Sequence, residues 1–322
     1  MVLDIHAHIL PHAFLDLAHK GELPGVTLTP RLQGGEALAF HGLPHPFTPV
    51  FFDMDMQLAE MDAHGIDIQA ISVAPRLFFY DVPADRATQL CRCWNDEILQ
   101  RCKAYPSRFL PVCGLPMQDP AAAVEELLRL HRENVKMLQI GTTVNGLCLD
   151  EERFYPVYEA ASACGMALLL HPLIGNADPQ TKRYHLSNVA GNPYQTMAAA
   201  GNLIGCGILD RLPSLQFLLV HGGGALPYQI YRMDHAYAVR PRHTFRCQRQ
   251  PSSYLRTNFW FDALVFDRAP LSLLRSVVGD DRICFGTDAP YDMTDYGQLE
   301  RCESEALRRK IAYENGSILM GL

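Results

Sequence analysis

"VLDIHAHILP", residues 2–11, is an apolar run that carries two histidines, His6 and His8, one residue apart. In an extended strand, residues i and i+2 share a face, so both imidazoles point to one side and Ala7 to the other. Two answers compete. The pair either finishes a strand as half-buried polar groups, or it forms the first half of a metal site. The rest of the chain decides between them.

Seven further apolar runs follow at intervals: "DIQAISVA" (67–74), "FLPVCGL" (109–115), "VKMLQI" (135–140), "ALLLHP" (167–172), "QFLLVH" (216–221), "FWFDAL" (259–264) and "ICFGTD" (283–288). Each has the length and composition of a strand buried on both faces. Amphipathic stretches such as 55–65, 119–133, 154–165 and 270–279 separate them, and several stop at glycine, as helices do. Strands alternating with helices make parallel β/α units, and eight of them close a (β/α)8 TIM barrel. A doubly wound sheet is the other option, but no GxGxxG follows the first run. The long first connection, about residues 11–52, is rich in Gly, Pro and His and is expected to be a small insertion over the barrel mouth. The whole of 1–322 is then one domain. Residues 148–154 and 173–197 are expected to be further loops on that face, and the glycines of "HGGG" (221–224) a tight turn.

Composition excludes other classes. The 322 residues are 48% apolar and 20% charged, with a net charge of −7 and both signs interspersed, so nothing favours nucleic acid or an anionic membrane as partner. No apolar stretch approaches the ~20 residues of a membrane span. The first ten residues lack the positive segment of a secretory signal, and a cytoplasmic protein is expected. Ten cysteines are scattered through apolar patterns with no CxxC pair. Cys91 and Cys93 fall in a helical stretch and should face different ways, so they are read as small hydrophobes.

Chemistry on a TIM barrel sits where the strands end. The first run ends in His6 and His8, the fifth in His171, the sixth in His221 and the eighth in Asp288. Three imidazoles and a carboxylate can hold one divalent ion. Asp4, in register with the histidines, is expected one step deeper in a supporting part. His12, His41, His45, His185, His235 and His243 are read as surface or loop residues. Lys136 lies near the beginning of the fourth run, and Gln139 and Thr142 flank the rim instead.

As a set these residues resemble the amidohydrolase superfamily, and within it the branch typified by 2-amino-3-carboxymuconate-6-semialdehyde decarboxylase (amidohydrolase family 2). "DIHAHILP", "EMDAHGIDIQAISVAP", "LPMQDP", "LQIGTTVN", "VHGGGALPYQIYRMDHAY" and "GTDAPY" carry the resemblance over nearly the whole chain. It implies one zinc ion (Zn2+) per chain held by His6, His8, His171 and Asp288, with another divalent ion such as manganese (Mn2+) as the alternative. It implies His221 as a catalytic group off the metal, and Arg232 as a substrate contact reaching the neighbouring site of a homodimer. Two positions depart from the pattern. Thr48 stands in "FTPV" where the branch has an arginine, and Leu173 in "HPLI" where it has tryptophan. With Thr48 there, Arg232 is the main cationic substrate contact, and a substrate with fewer carboxylates is expected.

The expected activity is therefore a zinc-dependent, cofactor-free decarboxylation of a small unsaturated or aromatic carboxylic acid, with His221 and Asp288 as catalytic residues. The alternative is hydrolysis of a C–N, ester, lactone or C–C bond by a metal-activated water.

Overall fold

The computed structural model describes residues 1–30, 35–173 and 179–322. Eight parallel strands form one sheet in the order β1 (Leu3–Ile9), β5 (Ile68–Val73), β6 (Phe109–Gly114), β7 (Met137–Gly141), β10 (Ala167–His171), β11 (Phe217–Leu219), β12 (Phe259–Asp262) and β13 (Ile283–Cys284). The remaining strands are β2 (Val26–Pro30), β3 (Glu36–Phe40) and β4 (Leu43–His45) in one small sheet, and β8 (Thr143–Val144) with β9 (Leu147–Cys148) in a hairpin. The barrel closes where the chain after β13 meets β1. Ile5 N donates to Phe285 O at 3.0 Å, Asp288 N to His6 O at 2.8 Å and His8 N to Ala289 O at 2.7 Å. All eight expected strands are present, and the fold is a (β/α)8 barrel.

Every residue of β1, β7, β10, β11 and β12 is buried, as strands covered on both faces require. Inside the barrel, Leu3, Ile5, Met137, Leu169, Leu218 and Trp260 pack together, and Leu319 and Met320 of the C-terminal helix close the lower end. The outward side chains meet the helices: Leu138, Leu168, Phe217 and Phe259 join Leu127, Val157, Leu203 and Leu274 in the larger core. Aspartates start several of these helices. Asp53 accepts from Asp55 N and Met56 N ahead of the helix Met54–Ala63, and Asp119 caps Pro120–Arg132 in the same way. The longest helix, Ala84–Ala104, buries Cys91 and leaves Cys93 exposed, so the CxC pair does point two ways.

Three expectations need correction. Asp4, expected in register with the histidines and one step deeper, is taken off their face by a register irregularity between Asp4 and Ala7. Asp4 instead bonds Gln69, itself bonded to Gln57 of the Met54–Ala63 helix, and takes the Thr287 hydroxyl at 2.6 Å. It ties the first strand to the last outside the barrel interior. The segment expected as a 173–197 loop turns helical early, as a π-helical turn Ser187–Gly191 running into the helix Asn192–Gly205; its residues 174–178 lie outside the described part. Residues 148–154 finish the β8–β9 hairpin and add a short helical turn, Glu152–Phe154.

The first connection holds a short helix, His12–His19, and the β2–β3–β4 sheet, with residues 31–34 outside the described part. Its last strand brings His45 to the barrel mouth. Among the described residues no helix is long and apolar enough to cross a membrane.

Candidate active site

Five side chains from the ends of four barrel strands converge at the C-terminal rim. One donor atom from each of His6, His171, His221 and Asp288 lies within 4.8 Å of all the others. His8 completes the group, its Nε2 3.1 Å from His6 Nε2 and 3.0 Å from Asp288 Oδ1. The rings of His6 and His171 each stand 5.0–5.4 Å from those of His8 and His221. Every rim residue expected from the sequence is here.

The far nitrogens of three rings show what the near ones are for. His6 Nδ1 donates to Asp262 Oδ2 at 2.9 Å, His8 Nδ1 to the Val73 carbonyl at 3.2 Å, and His171 Nδ1 to the Pro172 carbonyl at 2.9 Å. Each partner only accepts, so each proton sits on Nδ1 and each Nε2 turns a lone pair inward. Lone pairs of His6 and His8 then face each other at 3.1 Å and both face Asp288 Oδ1, at 3.4 and 3.0 Å, while the buried His171 Nε2 has no hydrogen-bond partner among the described residues. Buried polar atoms left open in this way fit a shared cation. The donor set of imidazole nitrogens and a carboxylate oxygen suits a divalent transition metal.

Electrostatics agree. Burial works against the charged form of His6, yet Asp288, Asp262 and Asp4 leave its pKa raised, which marks a place that attracts positive charge. Burial and the neighbouring imidazoles push His171 well below its ordinary value, and burial lowers His8, so both stay neutral ligand-type rings. Burial alone would raise Asp288; His6, His221 and His8 hold it well below the usual carboxylate range.

His221 differs from the others. Its Nε2 lies 3.4 Å from Asp288 Oδ2, and its Nδ1, the nitrogen that the other rings anchor to the protein, has no partner among the described residues. The backbone around it is held tightly. His221 N and Gly222 N both donate to Asp262, at 2.9 and 2.7 Å, and His221 and Asp288 each adopt a left-handed φ, 57° and 60°. Such conformations in non-glycine residues persist where the surroundings enforce them, commonly at working sites. The glycines that follow have a steric reason. A Cβ on Gly222 would lie 2.4 Å from Val265 Cγ1, and one on Gly224 2.4 Å from the Pro193 carbonyl.

Sequence reasoning missed Asp262 and Tyr291 and placed His45 wrongly at the surface. Asp262, at the end of β12, supports His6 and the His221 turn together. Gln139, expected to flank the rim, is fully buried inside the barrel, and neither end of its amide has a partner among the described residues. Tyr291 stands 5.4 Å from the His8 ring and 3.2 Å from His45 Nε2, and burial with the Asp288 charge keeps its phenol protonated. His45 itself is buried rather than at the surface, and burial lowers its pKa to about 4. Thr142 is also buried, bonded to Gln195, which holds both backbone groups of Leu173. Arg232 sits exposed on the helix Leu226–Val239, on the outside of its own barrel.

A (β/α)8 barrel whose rim gathers histidines and an aspartate around one point belongs to the metal-centred hydrolases and lyases of this fold. The chain is a member of the amidohydrolase family, whose model matches residues 3–316. It is 31% identical over 303 residues to the 2-amino-3-carboxymuconate-6-semialdehyde decarboxylase of Dictyostelium discoideum, covering 92% of this chain and 84% of that one. The structure superposes on 5-carboxyvanillate decarboxylase from Sphingomonas paucimobilis with a TM-score of 0.85 and 25% identity, covering 100% and 99% of the two chains. It also matches a dihydroxybenzoic acid decarboxylase from Polaromonas, solved with manganese and the inhibitor 2-nitroresorcinol, with a TM-score of 0.79, 24% identity and 100% and 97% coverage.

Proposed function

We propose that the chain is a metal-dependent carboxy-lyase that removes CO₂ from a small unsaturated or aromatic carboxylic acid without an organic cofactor. The observation that carries it is the set of inward lone pairs on His6, His8 and His171 gathered around the Asp288 carboxylate. Membership of a family that includes decarboxylases of conjugated acids supports the reaction class.

His6, His8, His171 and Asp288 would hold one divalent ion. Zinc suits three nitrogens and an oxygen, and the manganese of the Polaromonas relative makes Mn2+ the competing choice. When bound, the ion supplies a charge sink for the substrate's oxygens. The protein's own groups do the rest. Loss of CO₂ leaves the electron pair of the broken C–C bond on the substrate carbon, and that carbon needs a proton. His221 is the donor: its Nδ1 is uncommitted, and its side chain keeps 17% exposure, enough to recover a proton from solvent. Asp288 Oδ2, 3.4 Å from His221 Nε2, holds that side of the ring toward the site and leaves Nδ1 free. Each turnover takes up one proton and releases one CO₂.

The same reading includes a homodimer completed by Arg232. Tyr228 and Tyr231, 73% and 58% exposed, flank that residue on the Leu226–Val239 helix, an apolar surface suited to burial against a second copy. A cytoplasmic location belongs to the proposal too; ten free thiols suit a reducing compartment.

Incubating metal-loaded protein with a panel of conjugated acids, 2,6-dihydroxybenzoate among them, tests the reaction. CO₂ should appear in equal amount to a product one carboxylate shorter. A product that has gained the elements of water, with no CO₂, would make the enzyme a hydrolase instead.

A further inference from the structure

A cleft of about 460 Å³ is bounded by the chain after β5, the turn after β7, Leu173, two residues beyond His171, and the β3–β4 turn of the inserted sheet. Its walls are mostly apolar, with Phe40, Pro75, Phe78, Tyr80 and Leu173 among them. That volume and lining suit a single aromatic ring with substituents. One cationic side chain, Arg76, joins this wall three residues beyond Val73, whose carbonyl holds the His8 ring.

Arg76 is half-buried, and among the described residues no hydrogen bond or ion pair engages its guanidinium. Its recorded neighbour is the Phe40 ring, 5.8 Å from Cζ to centroid. The acid on the cleft wall, Asp81, is exposed and stands 3.3 Å from His41 instead. Arg76 also lies close enough to His45 to depress it further after burial, and it acts on Tyr291, the residue packed on His8. Five donors held half out of water without an acceptor are costly, and a surface stack on one phenyl ring recovers little of that. An anion entering the cleft would satisfy them in the bidentate geometry that arginine favours.

We propose that Arg76 anchors the substrate by an anionic substituent that the reaction leaves in place, a second carboxylate on an aromatic acid whose ring fills this cleft while the departing carboxylate faces the histidines. The proposal rests on the decarboxylase reading. It also reverses the expectation drawn from Thr48: the cation absent from the inserted segment is replaced by one on the loop after β5, and a dicarboxylate remains the fitting substrate. Asp4, Asp262 and Asp288 crowd the same end of the barrel, so a doubly negative substrate needs a nearby cation of its own.

The test reads binding without turnover. Calorimetric titration of zinc-loaded protein would compare benzene-1,3- and 1,4-dicarboxylate with the matching carbamoylbenzoates, which replace one carboxylate by a neutral amide of similar shape. For at least one isomer the diacid should bind about 10- to 100-fold more tightly, the range of a charge-assisted hydrogen-bonded contact. Arg76→Met should abolish that preference and leave carbamoylbenzoate affinity within about twofold, and Arg76→Lys should keep part of it. A wild-type protein that fails to prefer either diacid overturns the proposal without any variant, as does an Arg76→Met protein that keeps the preference. Failure of the decarboxylase reading is separate: no CO₂ would be released from any acid, whatever the binding preference.

Discussion

Asp262 accepts the Nδ1 proton of His6 at 2.9 Å, joining the end of the seventh barrel strand to the histidine pair of the first. The same carboxylate takes His221 N and Gly222 N, so one side chain sets both the His6 tautomer and the turn that presents His221. Asp262→Asn replaces one accepting oxygen by an NH₂ that cannot accept. Metal affinity should fall about 10- to 100-fold with the fold retained. Competition against a graded chelator measures this, and an unchanged affinity would remove Asp262 from the support of the site.

His171 and His221 should separate as ligand and proton donor. His171→Ala leaves a hole in the lone-pair set and should lose both metal and activity. His221→Ala should keep most of the metal yet lose about 10²- to 10⁴-fold in rate, the usual share of a positioned acid. Elemental analysis of protein purified without added metal, alongside the rates, decides between them. An empty site in His221→Ala would make His221 a ligand.

The barrel was legible because each strand is buried on both faces and so spells a short apolar run, from Leu3 to Cys284. The rim histidines were legible because they end those runs. Asp262 ends a run too, but inside "FWFDAL" it reads as part of the strand, and its partners lie 256 and 41 residues away. His45 looked like one of several loop histidines; only the fold stacks it against Phe40, Phe51 and Tyr291. Arg76 follows a proline at a strand end, where no periodicity says which way a side chain points. The helix Asn192–Gly205 begins inside the 173–197 segment at the Asn-Pro pair 192–193, where a turn and a helix start read alike.

His45 should give the protein an acid-side weakness. Its Nδ1 donates to the Pro46 carbonyl and its Nε2 accepts from Tyr291, an arrangement only the neutral ring can make. Its folded pKa of about 4 lies below the ordinary 6.5. Above pH 6.5 neither the folded nor the unfolded ring is charged, and stability does not depend on it. Between 6.5 and 4 the unfolded chain takes the proton first, so stability falls as pH falls; below about 4 both forms are charged and the loss levels off. The full effect is roughly 3 kcal/mol. Denaturant titrations of wild type and His45→Gln at pH 7 and pH 4.5 isolate it. The gap between the two proteins should shift against wild type on acidification, and a constant gap would refute the assignment.

Arg232 supplies the sharpest test of assembly. On its own barrel it is an exposed residue of the helix Leu226–Val239, and most such arginines are simply solvated. Its neighbours argue otherwise, since Tyr228 and Tyr231 leave large apolar surface open on the same helix. If two copies pair there about a two-fold axis, each Arg232 faces the partner and contributes to the partner's site. Arg232→Ala and His221→Ala chains should each be nearly inactive as homodimers. Mixed and re-paired, they should regain activity. In one of the two sites the barrel keeps its own His221 while receiving Arg232 from the chain that lacks only His221; the other site lacks both. Recovery approaching half of the wild-type rate per heterodimer is the expected result, read after separating heterodimers by distinct affinity tags. Verified heterodimers with no recovery would return Arg232 to the solvated surface and leave each barrel to work alone.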